Sequence, residues 1–121
     1  DAGTFITIDI VIDEKHMGGY IYPGIQTFLN TYSNQGKNLP RITFRTDSQL
    51  NQHPSTTDEA INQAAKNYLN SLESFLKELN LDTVFLTGGD QLLLSDNLAN
   101  EVIRDSDLVH KSLFYIMKKY V

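Results

Sequence analysis

The opening run from Asp1 to Asp9 constrains this chain more than any other segment. Thr4, Ile6, Ile8 and Ile10 alternate with Phe5, Thr7, Asp9 and Val11, and a period of two built from β-branched residues predicts a strand. Joined directly to that strand is the turn Asp1-Ala2-Gly3-Thr4. A glycine lets backbone N–H groups approach a phosphate oxygen, a threonine hydroxyl adds a donor, and a neighbouring carboxylate can hold a cation that neutralises the phosphate. Taken alone, the same four residues describe an ordinary turn leading into a strand, and Asp9 an ordinary exposed carboxylate.

Composition narrows the classes. At 121 residues and 40% hydrophobic content the chain has the size of one domain able to bury a core, so residues 1–121 are expected to form a single unit. Without cysteine there is no disulfide framework and no Cys-based zinc or redox chemistry. No apolar run approaches the ~18 residues of a membrane span, and no signal peptide is visible, so no membrane partner and a cytoplasmic location are expected. The net charge of −5, with only Lys118-Lys119 adjoining among the basic residues, argues against general nucleic-acid binding. Asp1 leads into a strand with no initiator Met, which suggests a fragment or a processed polypeptide.

The remaining chain reads as alternating elements. Asp13-Glu14-Lys15 is a hairpin turn, and His16 to Tyr22 a second strand returning antiparallel, with Gly18-Gly19 read as a bulge or a close crossing. Ile25, Phe28, Leu29 and Tyr32 have helical spacing, stopped before Pro40. Arg41 to Arg45 fits a short strand, and Asp47 to Pro54 a polar surface loop. A long helix follows, capped by Thr56 or Thr57, with Ile61, Ala65, Tyr68, Leu72, Phe75 and Leu79 as its apolar stripe and Glu73 and Lys77 as an i, i+4 pair. After Asn80, Thr83 to Thr87 reads as a buried parallel strand. Gly88-Gly89 then turns the chain, Asp90 is placed as the cap of a short helix through Leu92 to Leu94, and a last helix from Asp107 to Tyr120 carries Val109, Leu113, Ile116 and Tyr120 on one face. The predicted class is α/β, a mixed sheet with an antiparallel opening hairpin and flanking helices.

Two glycines just past the carboxyl end of a strand stand where open α/β sheets bind ligands, and a base or phosphate can lie on side-chain-free backbone there. A tight strand-to-helix turn explains Thr87-Gly88-Gly89-Asp90 equally well. His16, His53 and His110 show no ligand spacing.

Several segments in order raise the specificity: Asp1-x-Gly3-Thr4, then Gly18-Gly19-x-Ile21-x-Pro23-Gly24, then Thr57-x-x-Ala60-Ile61, then Thr87-Gly88-Gly89-Asp90, with Asp107-Leu108-Val109 and Leu113 closing the chain. Together they resemble the C-terminal half of a type III pantothenate kinase. The resemblance implies one ribonuclease-H-like lobe of the actin-like, sugar-kinase superfamily, and an intact protein that phosphorylates pantothenate with ATP at the start of coenzyme A biosynthesis. It further implies Gly3 and Thr4 at phosphate, Asp1 at a monovalent cation (K⁺ or NH₄⁺), Gly88 and Gly89 beside the adenosine, and Thr57 approaching pantothenate across a homodimer interface. Mg²⁺ with ATP is implied in the same way. Phe5, Ala64 and Ser112 depart from the small residue or glycine usual in the family. The family's N-terminal phosphate loop, Asp-x-Gly-Asn-Thr, and its Gly-x-Asp-Arg segment with the catalytic Asp have no counterpart in this chain. The isolated chain is therefore expected to be inactive, and the alternative is a non-catalytic, kinase-derived binding, regulatory or dimerisation module.

Overall fold

The computed structural model describes residues 1–46 and 53–120, with the side chains at 114–116 and 119–120 outside that description. Strand β1 (Phe5–Ile12) and strand β2 (Lys15–Pro23) form the expected antiparallel hairpin. Asp13 and Glu14 turn it with φ of 50° and 63°, both left-handed, which suits a two-residue connection. The register slips between Asp9 and Val11. There Gly19 faces Asp9, and a Cβ on Gly19 would lie 1.8 Å from the Ile8 carbonyl oxygen. The Gly18-Gly19 pair thus serves a bulged strand crossing, the first of the two readings its sequence allowed.

Helix α1 (Ile25–Gln35) buries Ile25 and Leu29. Helix α2 (Thr57–Glu78) begins at Thr56, whose hydroxyl accepts the Glu59 amide at 3.1 Å, while the Glu59 carboxylate accepts the Ser55 amide at 3.1 Å. Its buried stripe is Ile61, Ala65, Leu69, Leu72 and Leu76. Tyr68, Phe75 and Leu79 lie one row aside and half-buried, so the stripe is rotated from the expected one. Tyr68 stacks on Phe28 of α1 with ring centroids 4.7 Å apart, and Phe75 meets Tyr20 of β2 edge-on at 5.1 Å.

Arg41 to Arg45 is not a strand. Its backbone is held by a side chain instead: Asn62, fully buried on α2, accepts the Arg45 amide at 2.9 Å and donates to the Thr43 carbonyl at 3.5 Å. Part of the expected loop at 47–54 lies outside the described residues, as 47–52 are not described.

Strand β3 (Thr83–Leu86) is parallel as expected, but its partner β4 (Glu101–Arg104) was not foreseen. Phe85 is 55% exposed, so β3 is covered on one face only. A 3-10 turn at Gln91–Leu93 replaces the expected short helix, and Asp90 makes no side-chain cap bond to it. Helix α3 (Leu108–Tyr120) follows as expected, with Val109 and Leu113 of its apolar face exposed; the side chains of Ile116 and Tyr120 lie outside the described residues.

The strands pair as two separate two-stranded sheets, β1 with β2 and β3 with β4, in place of one mixed sheet. β4 takes the Asp82 carbonyl, from Glu101, and Asp105 just beyond β4 takes the Leu86 carbonyl. By strand alternation, the backbone groups of Phe85 and Thr87 face the opposite edge. At that edge the Ala2 amide donates to the Thr87 carbonyl at 2.8 Å. The core lies between the helices and these strands, centred on Leu29 and Leu98.

Candidate functional site

Residues 1 and 2 stitch the two sheets together. Asp1 exchanges two backbone bonds with Thr7 of β1, its amino group donating to the Thr7 carbonyl and its own carbonyl accepting the Thr7 amide, each at 2.9 Å. Ala2 forms an antiparallel bridge with Ile6. On its other side Ala2 donates to Thr87 and accepts the Asp90 amide at 2.8 Å, so it spans the Gly88-Gly89 turn from end to end.

The two glycine-bearing turns, at residues 1–4 and 88–89 of the sequence, therefore touch. Gly88 has φ of 97°, and a Cβ there would lie 2.4 Å from the Ala2 carbonyl oxygen and 2.5 Å from Oδ1 of Asp1. The same Asp1 oxygen is 3.9 Å from the Cβ position of Gly3. The carboxylate thus stands between Gly3 and Gly88. Gly89 differs: nothing lies within 4 Å of its Cβ position, and the residue is exposed. Neither packing nor a left-handed φ requires glycine at 89.

The Thr4 side of the turn is fixed from α1. The Thr4 carbonyl accepts the Gly24 amide at 2.8 Å and the Thr27 hydroxyl at 2.6 Å, and a Cβ on Gly24 would lie 2.0 Å from the Gly3 carbonyl oxygen. Pro23-Gly24, which the sequence offered only as the close of the Gly18-to-Gly24 segment, is a packing partner of the candidate phosphate turn. Its signal was the glycine itself. Pro23 is tied in turn to α2, its carbonyl accepting the Tyr68 hydroxyl at 2.6 Å.

Thr57 is not brought to this cluster. It opens α2, eleven residues before Tyr68, and a rise of 1.5 Å per residue sets it about 16 Å along the axis from the level of Pro23. Glu73 of α2 accepts the Ser95 amide at 3.0 Å. Arg104 was also missed by sequence reasoning: it sends its guanidinium into the loop after the Gly88-Gly89 turn. Its neighbourhood depends on β4, a strand of four residues with no long periodicity to reveal it.

In chemical terms the cluster offers exposed glycine backbone, one carboxylate and one threonine hydroxyl at the meeting of two strand ends. Among the described residues no group of three or more His, Asp or Glu could form a metal cage. Asp1 fits as one hard oxygen donor to a cation whose other ligands are phosphate and water. The open surface at Gly89 fits a flat or phosphorylated ligand.

The fold and this junction define a mixed α/β domain that joins two glycine turns. The sequence profile of the type III pantothenate kinases matches residues 1–77, and the chain belongs to that family. Relatives named type III pantothenate kinase include one from Campylobacter hominis, 33% identical over 98% of this chain and 55% of its own length, and one from Helicobacter pylori strain J99, 33% identical over 98% and 52%. A solved structure from Campylobacter jejuni, of a conserved Baf family protein named as a candidate transcriptional activator, superposes with a TM-score of 0.72 at 30% identity, covering 98% of this chain and 55% of that one. The chain spans about half the length of the relatives it matches. No helix among the described residues is long and apolar enough to cross a membrane.

Proposed function

We propose that residues 1–121 are the C-terminal lobe of a cytoplasmic pantothenate kinase of the actin-like superfamily, contributing half of a site that transfers the γ-phosphoryl group of ATP to pantothenate. The observation that carries this reading is the Ala2 bridge, which unites the Asp1–Thr4 turn with the Gly88-Gly89 turn. Phosphoryl transfer depends on positioning and on neutralising charge. Within that reading Gly3 and Thr4 meet phosphate, Asp1 faces a monovalent cation (K⁺ or NH₄⁺) near Mg²⁺·ATP, and Gly88 and Gly89 border the adenosine. ATP supplies the phosphoryl group; the chain's own residues orient it.

The lobe assignment draws support from the split sheet. A strand running into Asp1 would continue the Asp1–Thr7 ladder antiparallel to β1 and lie along the free edge of β3, joining both pairs into one five-stranded sheet. The distance of Thr57 from the cluster supports a homodimer in which the second copy brings its own Thr57 to pantothenate. The α2 stripe is already occupied by the chain's own core, so that interface would use α2's N-terminal end rather than its apolar face.

A second reading, a kinase-derived regulatory module without turnover, draws on the name of the Campylobacter jejuni relative and on Phe5, 53% exposed where the family has a small residue. Gly89→Val tests the first reading. Because no atom lies within 4 Å of a Cβ at 89, the variant should melt within about 1 °C of wild type while its Mg²⁺·ATP affinity, followed by amide shifts of the turn, falls at least about tenfold. Equal ATP binding by both proteins removes the adenosine assignment. Pantothenate-dependent ADP formation by the purified 121-residue chain, abolished by Asp1→Asn, would overturn the half-site account.

A further inference from the structure

Arg104 ends β4, on the far side of β3 from Ala2. Its guanidinium reaches across to the segment that follows the Gly88-Gly89 turn: Nη1 donates to the Gln91 carbonyl at 2.5 Å, Nη2 to the Leu94 carbonyl at 2.5 Å, and Nε and Nη2 to the Asp96 carboxylate at 3.0 and 2.9 Å. Gln91 opens the 3-10 turn and Leu94 caps its C-terminal end; the Gln91 carbonyl already accepts the Leu94 amide at 3.2 Å, so the fork adds a second donor to Gln91 and supplies one to Leu94. The Gln91 amide bonds back to the Gly88 carbonyl at 3.3 Å, and the Leu93 amide to the Asp90 carbonyl at 3.0 Å. One side chain therefore closes the far end of a segment whose near end Ala2 holds.

We propose that Arg104 is a positioning residue for the nucleotide turn: its fork fixes the 3-10 turn from behind and so sets the position of the exposed Gly89 backbone. This rests on the reading that ATP lies against Gly88-Gly89. The contacts differ in weight. The Arg104 side chain is 25% exposed and the residues whose carbonyls it meets, Gln91 and Leu94, are buried, whereas the Asp96 side chain is 87% exposed, so the ion pair is screened and the two carbonyl bonds carry the restraint. Lysine cannot replace it, because a single ammonium on a flexible stem does not span two carbonyls and a carboxylate in one plane. Leu94 and Leu98, both buried, hold the outer part of the loop whether or not the fork is present. Loss of the fork thus loosens the turn without unfolding the domain.

The test compares wild type with Arg104→Ala, Arg104→Lys and Asp96→Asn, as the purified chain, by amide hydrogen exchange and by Mg²⁺·ATP titration. Expected are faster exchange at residues 91–94 in both Arg104 variants, ATP affinity lower by about tenfold, the scale of losing a group that orients a binding residue, and Asp96→Asn within about twofold of wild type. Millimolar guanidinium should restore affinity to Arg104→Ala and leave wild type unchanged. A merely structural role would lower the melting temperature without rescue and without an affinity loss in the folded protein. Unchanged exchange at 91–94 overturns the clamp whatever ATP does. Faster exchange with unchanged ATP affinity overturns its link to the nucleotide. Should wild type show no ATP shifts at Gly88 and Gly89, the nucleotide reading itself fails, and the exchange data still report the clamp separately.

Discussion

Gly18-Gly19 and Gly88-Gly89 are the same dipeptide with the requirements for glycine distributed differently. In the hairpin, Gly18 has φ of 100° with open space around its Cβ position, while Gly19 has ordinary φ and would drive a Cβ to 1.8 Å from the Ile8 carbonyl oxygen. Each glycine there has one structural reason. In the turn, Gly88 carries both reasons at once, a φ of 97° and a 2.4 Å approach to the Ala2 carbonyl oxygen, and Gly89 carries neither. A glycine with no structural reason, exposed at the junction of two strand ends, is the position where a ligand would supply one. The comparison also shows that a Gly88 variant is a poor probe of binding, since it disturbs the Ala2 bridge directly.

The comparison can be broken first at Gly19. Gly19→Ala should cost at least about 3 kcal/mol, because the added carbon meets backbone rather than a movable side-chain end. Gly88→Ala should cost a similar amount, about 3 kcal/mol, from left-handed strain together with the clash against Ala2. Gly18→Ala, with strain alone, should cost about 1 kcal/mol. Urea unfolding checks all three against Gly89→Ala, which should sit within about 0.5 kcal/mol of wild type. A Gly89 variant as unstable as the Gly88 variant would show that the open space is closed in solution, and the functional reading of Gly89 would lose its basis.

What could be read from residues alone follows the range of the interactions. The hairpin, α2 and its Thr56 cap were legible because alternation, helical spacing and capping chemistry are local. The Arg41 to Arg45 segment was misread because Asn62, a residue about twenty positions on, satisfies its backbone groups in place of a strand partner. β4 was missed because four residues give too short a pattern, and its pairing to β3 is what defines it. For the site, Asp1, Gly3, Thr4, Gly88 and Gly89 were each identifiable. Their contact through Ala2 was not, since an alanine carries no chemical signal and acts here only through its backbone. Thr57 stood out by its place in a motif, yet it lies far along α2 from the cluster.

The smallest expected effect lies at the start of α3, which follows β4 beside the end of β3 from which the Gly88-Gly89 turn leaves. The Asp105 amide donates to the Leu86 carbonyl at 2.9 Å, and its carboxylate accepts Lys111 Nζ at 2.7 Å and the Asp107 amide at 2.9 Å. The Lys111 hydrogen bond, with the Asp107 amide behind it, holds the Asp105 carboxyl below its ordinary 3.8; the same bond raises Lys111 above 10.5. A depressed acid contributes stability that is present above its unfolded value and is lost as pH falls through the folded one. A raised base contributes below its unfolded value and loses its contribution as pH rises through the folded one. Attachment of α3 should therefore be flat across neutral pH, weakening below 3.8 and above 10.5. Lys111 is exposed and the Asp105 carboxylate only partly covered, so added salt should shrink the effect at each limb. The Asp107 amide shift reports the acid limb, and Asp105→Asn should abolish its titration while leaving the Gly89 shift unmoved. If the Gly89 amide instead titrates together with Asp107, α3 and the Gly88-Gly89 turn are coupled through the end of β3, and Gly89 would be held from a second side that the contrast between the two glycine pairs leaves out.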